Sequence, residues 1–139
     1  MLFNTSYKNE EYLKESNRIL GGTYSFLTKL KMRGVGSHRF VIEELSSELT
    51  PRNRQKIDVN FGNIELRPKG IVIHFSNRLD RYSWIVPYYQ LAIFSSLTFS
   101  IHSNGQFIKF KKDKNHQENK GFINKMMDLK NAFLMIPAE

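Results

Sequence analysis

Cysteine is missing from this 139-residue chain, which removes a disulfide framework, thiol catalysis and any Cys-ligated zinc site. No run reaches the roughly 18 uncharged apolar residues that a membrane-crossing helix needs. The opening Met1-Leu2-Phe3-Asn4-Thr5-Ser6-Tyr7-Lys8 has no basic stretch leading into an apolar one, so no signal peptide is expected, and a cytoplasmic location is the simplest fit. The four histidines, His38, His74, His102 and His116, never fall at H-x-x-x-H or HExxH spacing. No metal site is expected from them. Neither a G-x-S-x-G elbow nor a G-x-G-x-x-G or Walker-type loop is present, so the sequence offers no catalytic residue and no cofactor. Repeats of solenoid length and low-complexity tracts are absent too. Acid is the scarcer charge, with 13 Asp and Glu against 21 Lys and Arg, a formal net charge of +8 at pH 7. That excess favours anionic partners through long-range attraction.

What the chain does have is apolar residues, 40% of the total, and aromatics, 13%, including eleven Phe and six Tyr. This is enough for one core of domain size. Residues 10–20 predict a helix, with Tyr12, Leu13, Ile19 and Leu20 near one face and a stop at Gly21-Gly22. Residues 23–32 lean to a second helix. Arg33-Gly34-Val35-Gly36-Ser37-His38 reads as a loop, and residues 39–49 begin the sheet or form a short helix. Thr50-Pro51-Arg52-Asn53-Arg54 is a further loop.

Strands follow. Ile57, Val59 and Phe61 alternate with polar residues, Gly62-Asn63 predicts a turn or bulge, and Ile64 and Leu66 resume the alternation. Pro68-Lys69-Gly70 is hairpin chemistry before residues 71–75. Tyr82, Trp84, Val86 and Tyr88 share one face of the next strand, which Pro87 ends or bulges. Residues 89–94 read as a bend or short strand. Leu97, Phe99 and Ile101 then alternate with Thr98, Ser100 and His102. Asn104-Gly105 signals a second hairpin, returning through Ile108 and Phe110. After a polar loop over 112–118, the periodicity changes. Phe122, Met126, Leu129 and Phe133, widened by Ile123, make one helical stripe over 119–134, with Met126 and Met127 as core filler.

The expected fold class is therefore α+β: a strongly bent antiparallel sheet, or partly open barrel, of about seven strands capped by a C-terminal helix. Residues 1–38 form a partly helical N-terminal extension and residues 39–139 the main domain. The succession Ile71-Val72-Ile73-His74-Phe75, then Trp84-Ile85-Val86-Pro87-Tyr88-Tyr89-Gln90-Leu91, then the 97–110 hairpin and the helix resembles the pleckstrin-homology-like domains, in particular the bacterial and GRAM-like branches. Val86-Pro87-Tyr88-Tyr89-Gln90-Leu91 fits that family's I/V-P-Y-x-x-I/L segment, and the resemblance spans residues 40–134. It implies a non-enzymatic binding or scaffolding module. The stretch before residue 40 has no counterpart in the family. A Lys-x-Arg pair like that of the phosphoinositide-binding members is missing, so phosphoinositide binding does not carry over.

Two basic groups are candidate anion or partner sites. Lys109, Lys111, Lys112 and Lys114 lie at the end of the last hairpin, with Lys120 beyond, and Lys109 and Lys111 share a face with Phe107. Lys29, Lys31, Arg33 and Arg39 surround the 33–38 loop without an acidic residue among them; amides of a Gly-rich turn can cradle an anion, but with no Gly-Lys-Ser/Thr ending and no clear strand-loop-helix frame a plain turn or hinge is the favoured reading, which leaves the loop a secondary candidate. Glu43, Glu44 and Glu48 read as a solvated face, and His74 and His102 as surface or hydrogen-bonded residues. The expected partner is a protein or an acidic membrane surface. The alternative is a nucleic acid, with lysines on phosphates and an aromatic on a base. The competing reading of the strand lysines is protection of a sheet edge.

Overall fold

A computed structural model describes residues 1–50, 60–77 and 80–135. The chain runs β1 (Leu2–Asn4), α1 (Glu10–Leu20), α2 (Phe26–Lys31), β2 (Phe40–Leu45), β3 (Asn60–Arg67), β4 (Gly70–Asn77), β5 (Asp80–Pro87), β6 (Ala92–Ser95), β7 (Thr98–Ser103), β8 (Gln106–Lys111), α3 (Lys114–Glu118) and α4 (Lys120–Leu134). The strands form one antiparallel sheet in the order β1-β5-β4-β3-β2-β8-β7-β6. It is curled and unclosed, with β1 and β6 as its two edges. The α+β class with a C-terminal helix is as the sequence predicts.

Local chemistry accounts for the turns. Pro68-Lys69 makes the two-residue link between β3 and β4, and Asn104 (φ 51°) with Gly105 (φ 80°) makes the one between β7 and β8. Two positive φ values in succession are what a tight hairpin twist requires. Asn9 caps α1, its side-chain oxygen accepting from the Tyr12 amide at 3.0 Å, and the Gly21 amide closes the other end on the Asn17 carbonyl. Period-two alternation then sorts the sheet into two faces.

The inner face carries Ile64, Leu66, Ile71, Ile73, Phe75, Trp84, Val86, Phe99, Ile101, Ile108 and Phe110, all buried, with Phe40 at the centre. Helix α4 covers it with Ile123 and Met126, helped by Phe122, Leu129 and Phe133. The 3₁₀ turn Tyr88–Gln90 ends β5 as Pro87 predicts, and Tyr88 packs against Phe133 with ring centroids 5.6 Å apart. A smaller cluster occupies the outer face, where Leu20 of α1 meets Val72 and Ile85, flanked by Phe3, Tyr12 and Ile19. Gly70 marks the tightest point of that seam. A Cβ there would sit 2.6 Å from Leu20 Cδ2 and 2.7 Å from Pro87 Cα.

Several expectations are corrected. The eight strands among the described residues agree with the expected count of about seven, but β1, Leu2–Asn4 alongside Tyr82–Trp84, was not expected, since three residues carry too little pattern to be seen beforehand. Gly62 and Asn63 make no turn but lie inside β3, paired with Phe75 and His74. A Cβ at Gly62 would fit only tightly, 3.3 Å from the His74 carbonyl oxygen and 3.4 Å from Ile42 Cδ1. Ile57 and Val59 lie outside the described residues. The polar stretch after β8 forms helix α3, because Asp113 caps it by accepting from the His116 amide at 3.2 Å. Leu97 precedes β7 and is 93% exposed, and Met127 faces outward on α4 while Met126 is fully buried.

Candidate functional site

Three strands of the β3–β4–β5 meander place polar residues side by side on the outer face. Asn63 pairs with His74 and His74 with Ser83, so one row crosses the sheet. Along it runs a chain of hydrogen bonds. Arg67 Nε donates to Glu65 Oε2 at 2.7 Å, Glu65 Oε1 lies 2.9 Å from His74 Nε2, and His74 Nδ1 lies 2.7 Å from Ser83 Oγ. Ser83 Oγ is in turn 2.8 Å from Thr5 Oγ1.

Arg67 is the anchor of this network. Its side chain is only 3% exposed. Beyond Glu65 its guanidinium donates to the Gly21 carbonyl at 2.7 Å and to Ser16 Oγ at 3.2 Å. These contacts fix where the end of α1 sits on the sheet. Burial works to raise the Glu65 carboxyl, but the hydrogen bonds from His74 and Arg67, with their charges, outweigh it and hold it below the usual carboxylate range. The Glu-His-Ser order has the outline of a nucleophile relay. Ser83 is fully buried, however, and its hydroxyl is covered by Thr5 of the N-terminal segment. What the array does is fasten β1 and α1 to the sheet.

Beside the network the outer face opens into a groove of about 460 Å³, lined among others by Arg39, Phe61, Asn63, His74, Ser76 and Arg81. Arg39 lies over the Phe61 ring, its guanidinium carbon 4.5 Å from the centroid. Among the described residues neither Arg39 nor Arg81 has a carboxylate within ion-pair distance. Two guanidinium groups without a carboxylate partner among the described residues give this groove a lining suited to an anion, while both ring nitrogens of His74 are already engaged by Glu65 and Ser83.

The basic residues singled out from the sequence are partly gathered by Asn119, the buried residue at the junction of α3 and α4. Its Oδ1 accepts from the His38 amide at 2.8 Å, and its Nδ2 donates to the carbonyls of His38 and Arg39. Lys125 Nζ on α4 reaches the Gly34 carbonyl at 3.0 Å. The 33–39 loop is thereby held against the start of the C-terminal helices, where Lys111, Lys112 and Lys114 emerge exposed from the end of β8 and the start of α3. Burial first, then the charges of Lys112 and Lys120, lower the pKa of His116, which lies between them. Arg33 sits exposed with φ 59° at the end of α2, and Lys31 is exposed just before it. Lys109 stands apart. It is paired with Glu44 at 3.8 Å and rests over the Phe107 ring at 5.2 Å. Glu43 and Glu48 are exposed, as expected of a solvated face.

Sequence reasoning missed Arg81, Asn63 and the Arg67–Glu65–His74 network. A signal did exist, since Glu65, His74 and Ser83 are spaced nine apart on successive strands of a meander, which places them near one another on a single face. Among the described residues no group of three His, Asp or Glu is disposed to hold a metal ion, and no helix is long and apolar enough to cross a membrane. No family model matches the chain, and no curated protein or solved structure gives a match.

Proposed function

We propose that this protein is a non-catalytic binding module of pleckstrin-homology-like architecture whose target is an acidic membrane surface. What supports the reading is the set of cations on the 33–39 loop and on the elements to which Asn119 ties that loop: Arg33 and Arg39 on the loop, Lys111, Lys112 and Lys114 at the end of β8 and the start of α3, and Lys120 at the start of α4, none in an ion pair among the described residues. Uncompensated lysines and arginines near an anionic leaflet contribute about 1 kcal/mol each, so several acting together give useful affinity. The single antiparallel sheet with its C-terminal helix is compatible with the pleckstrin-homology-like class. The nucleic-acid reading has less support, because the Phe107 face available for a base is already occupied by Lys109.

Co-sedimentation with phosphatidylcholine vesicles, with and without phosphatidylserine, tests the proposal. Binding is expected only with the anionic lipid and is expected to weaken as salt rises above about 0.1 M, where the screening length falls to about 10 Å. The triple variant Lys111→Glu, Lys112→Glu, Lys114→Glu is expected to lose most of it. Equal binding to neutral vesicles, or none to either, removes the membrane reading.

A further inference from the structure

Helix α2 is ordered at both ends and buried nowhere. Ser25 caps it, Oγ accepting from the Thr28 amide at 3.2 Å, and the Gly34 amide closes the far end on the Lys29 carbonyl at 2.9 Å. Tyr24 before it and Met32 and Val35 after it pack against the main core. The six residues between have no buried member, and their large side chains point outward: Phe26 is 74% exposed, Leu27 70% and Leu30 60%. At about 100° per residue, Phe26, Leu30 and Leu27 span one arc of about 100°, with Lys29 on one flank, Lys31 on the other and Thr28 opposite. An apolar arc edged by lysines on both sides is the pattern of a helix lying in a bilayer interface, its apolar face among acyl chains and its ammonium groups at the phosphates.

We infer that α2 is the element by which this protein inserts into an anionic bilayer, with Phe26, Leu27 and Leu30 as the inserted side chains. The inference rests on the membrane reading above and names its point of contact. Two observations favour a bilayer over a protein partner. First, the charge along the chain on either side of the helix is of one sign: between Glu15 and Glu43 the chain contains Arg18, Lys29, Lys31, Arg33 and Arg39 and no Asp or Glu. Second, the apolar arc consists of three side chains on a helix of six residues, whereas a stable protein interface buries about 800 Å² on each side. A bilayer sets no such minimum and complements the charge. The helix also leads directly into the 33–39 loop, so insertion brings the exposed Arg33 close to the same leaflet.

Phe26→Trp supplies the test, because the only native tryptophan, Trp84, is 3% exposed in the core and serves as an internal control. On phosphatidylserine-containing vesicles the Phe26→Trp emission is expected to shift to the blue and to be quenched by brominated acyl chains, while wild-type emission stays unchanged. A second variant, Phe26→Ser with Leu27→Ser and Leu30→Ser, alters only exposed positions and keeps its fold by circular dichroism. It is expected to bind anionic vesicles about tenfold more weakly or worse, since each inserted side chain contributes through apolar area removed from water. Wild-type binding to anionic vesicles without quenching at position 26, or with undiminished binding by the serine variant, overturns the insertion while leaving the electrostatic reading intact. No binding by wild type overturns both. A wild-type dimer by light scattering that the serine variant abolishes, with no quenching at position 26, assigns the arc to a second copy of this chain instead.

Discussion

Glu65 joins two partners of opposite demand: Arg67, buried and always charged, and His74, whose Nε2 meets the other carboxylate oxygen. Replacing it with glutamine keeps the shape but leaves the Arg67 guanidinium without its countercharge in a site 3% exposed. A loss of about 2–3 kcal/mol in urea-unfolding free energy is expected, below the cost of breaking a fully buried pair because Glu65 is itself a quarter exposed. The pH dependence follows from the same pair. Because the folded carboxyl titrates below its ordinary value of 4.5, its contribution is complete above that value and is lost as pH falls through the folded pKa. His102 and His116 act in a higher window. Burial, helped by Lys109 for the first and by Lys112 and Lys120 for the second, holds both below the ordinary 6.5. The unfolded chain then binds more protons around that pH, and stability declines as pH drops through the histidine range. Melting temperatures across pH 3–8 for wild type, Glu65→Gln and a His102→Gln/His116→Gln variant separate the two windows, the first variant flattening the acid limb and the second the limb near pH 6. A parallel shift of all three curves contradicts the assignment.

Among elements, the loop from α2 to β2 depends on a residue distant in sequence. Asn119 is fully buried and bonds to His38, Arg39 and Asn115, most of its partners lying about eighty positions away. Asn119→Ala is expected to cost about 2–3 kcal/mol, because several backbone groups lose a buried partner together. It is also expected to raise amide exchange selectively over residues 34–39. Uniform exchange across the sheet after that substitution argues against a local tie. Periodicity made α1, the β4–β5 pair and the stripe on α4 legible, since in each the apolar positions repeat at the period of the element that buries them. Asn104-Gly105 and Pro68-Lys69 were legible through turn chemistry. β1 was not, being three residues long, and α3 was not, because its polar residues resemble a loop until Asp113 is seen to cap it. The site residues divide in the same way. Arg39 and the lysines of the 111–114 stretch were visible as charge, whereas Arg81 and Asn63 enter the groove only through cross-strand register, which no local pattern encodes.

At the scale of the molecule, the N-terminal segment and the sheet share one buried network. A chain starting at residue 39 exposes Val72 and Ile85 and strips Arg67 of the Gly21 carbonyl and Ser16. That fragment is expected to be unstable or aggregation-prone, while the full chain unfolds in a single cooperative step. A soluble fragment with native circular dichroism and a sharp melting transition refutes this. Stability and proposed function also occupy separate regions. The core lies under α4, the lysine-edged arc of α2 stands clear of it, and substitutions in the arc leave the melting temperature within about 1–2 °C of wild type, as surface changes usually do.

The strand order also sets a sequence in time. β2 borders β3 on one side and β8 on the other, so two local meanders, β2 to β5 and β6 to β8, are joined along a long-range seam, Ile42 to Phe110 and Leu45 to Ile108, while β1 adds a second long-range pairing, Leu2 to Trp84. Each meander can form from neighbours in the chain, but the seam must wait for a segment more than sixty residues downstream. Loop closure over that distance carries an entropic cost before any contact offsets it. During synthesis β2 is therefore expected to wait with one edge open until β8 has left the ribosome, the joining of the two meanders following as a late step.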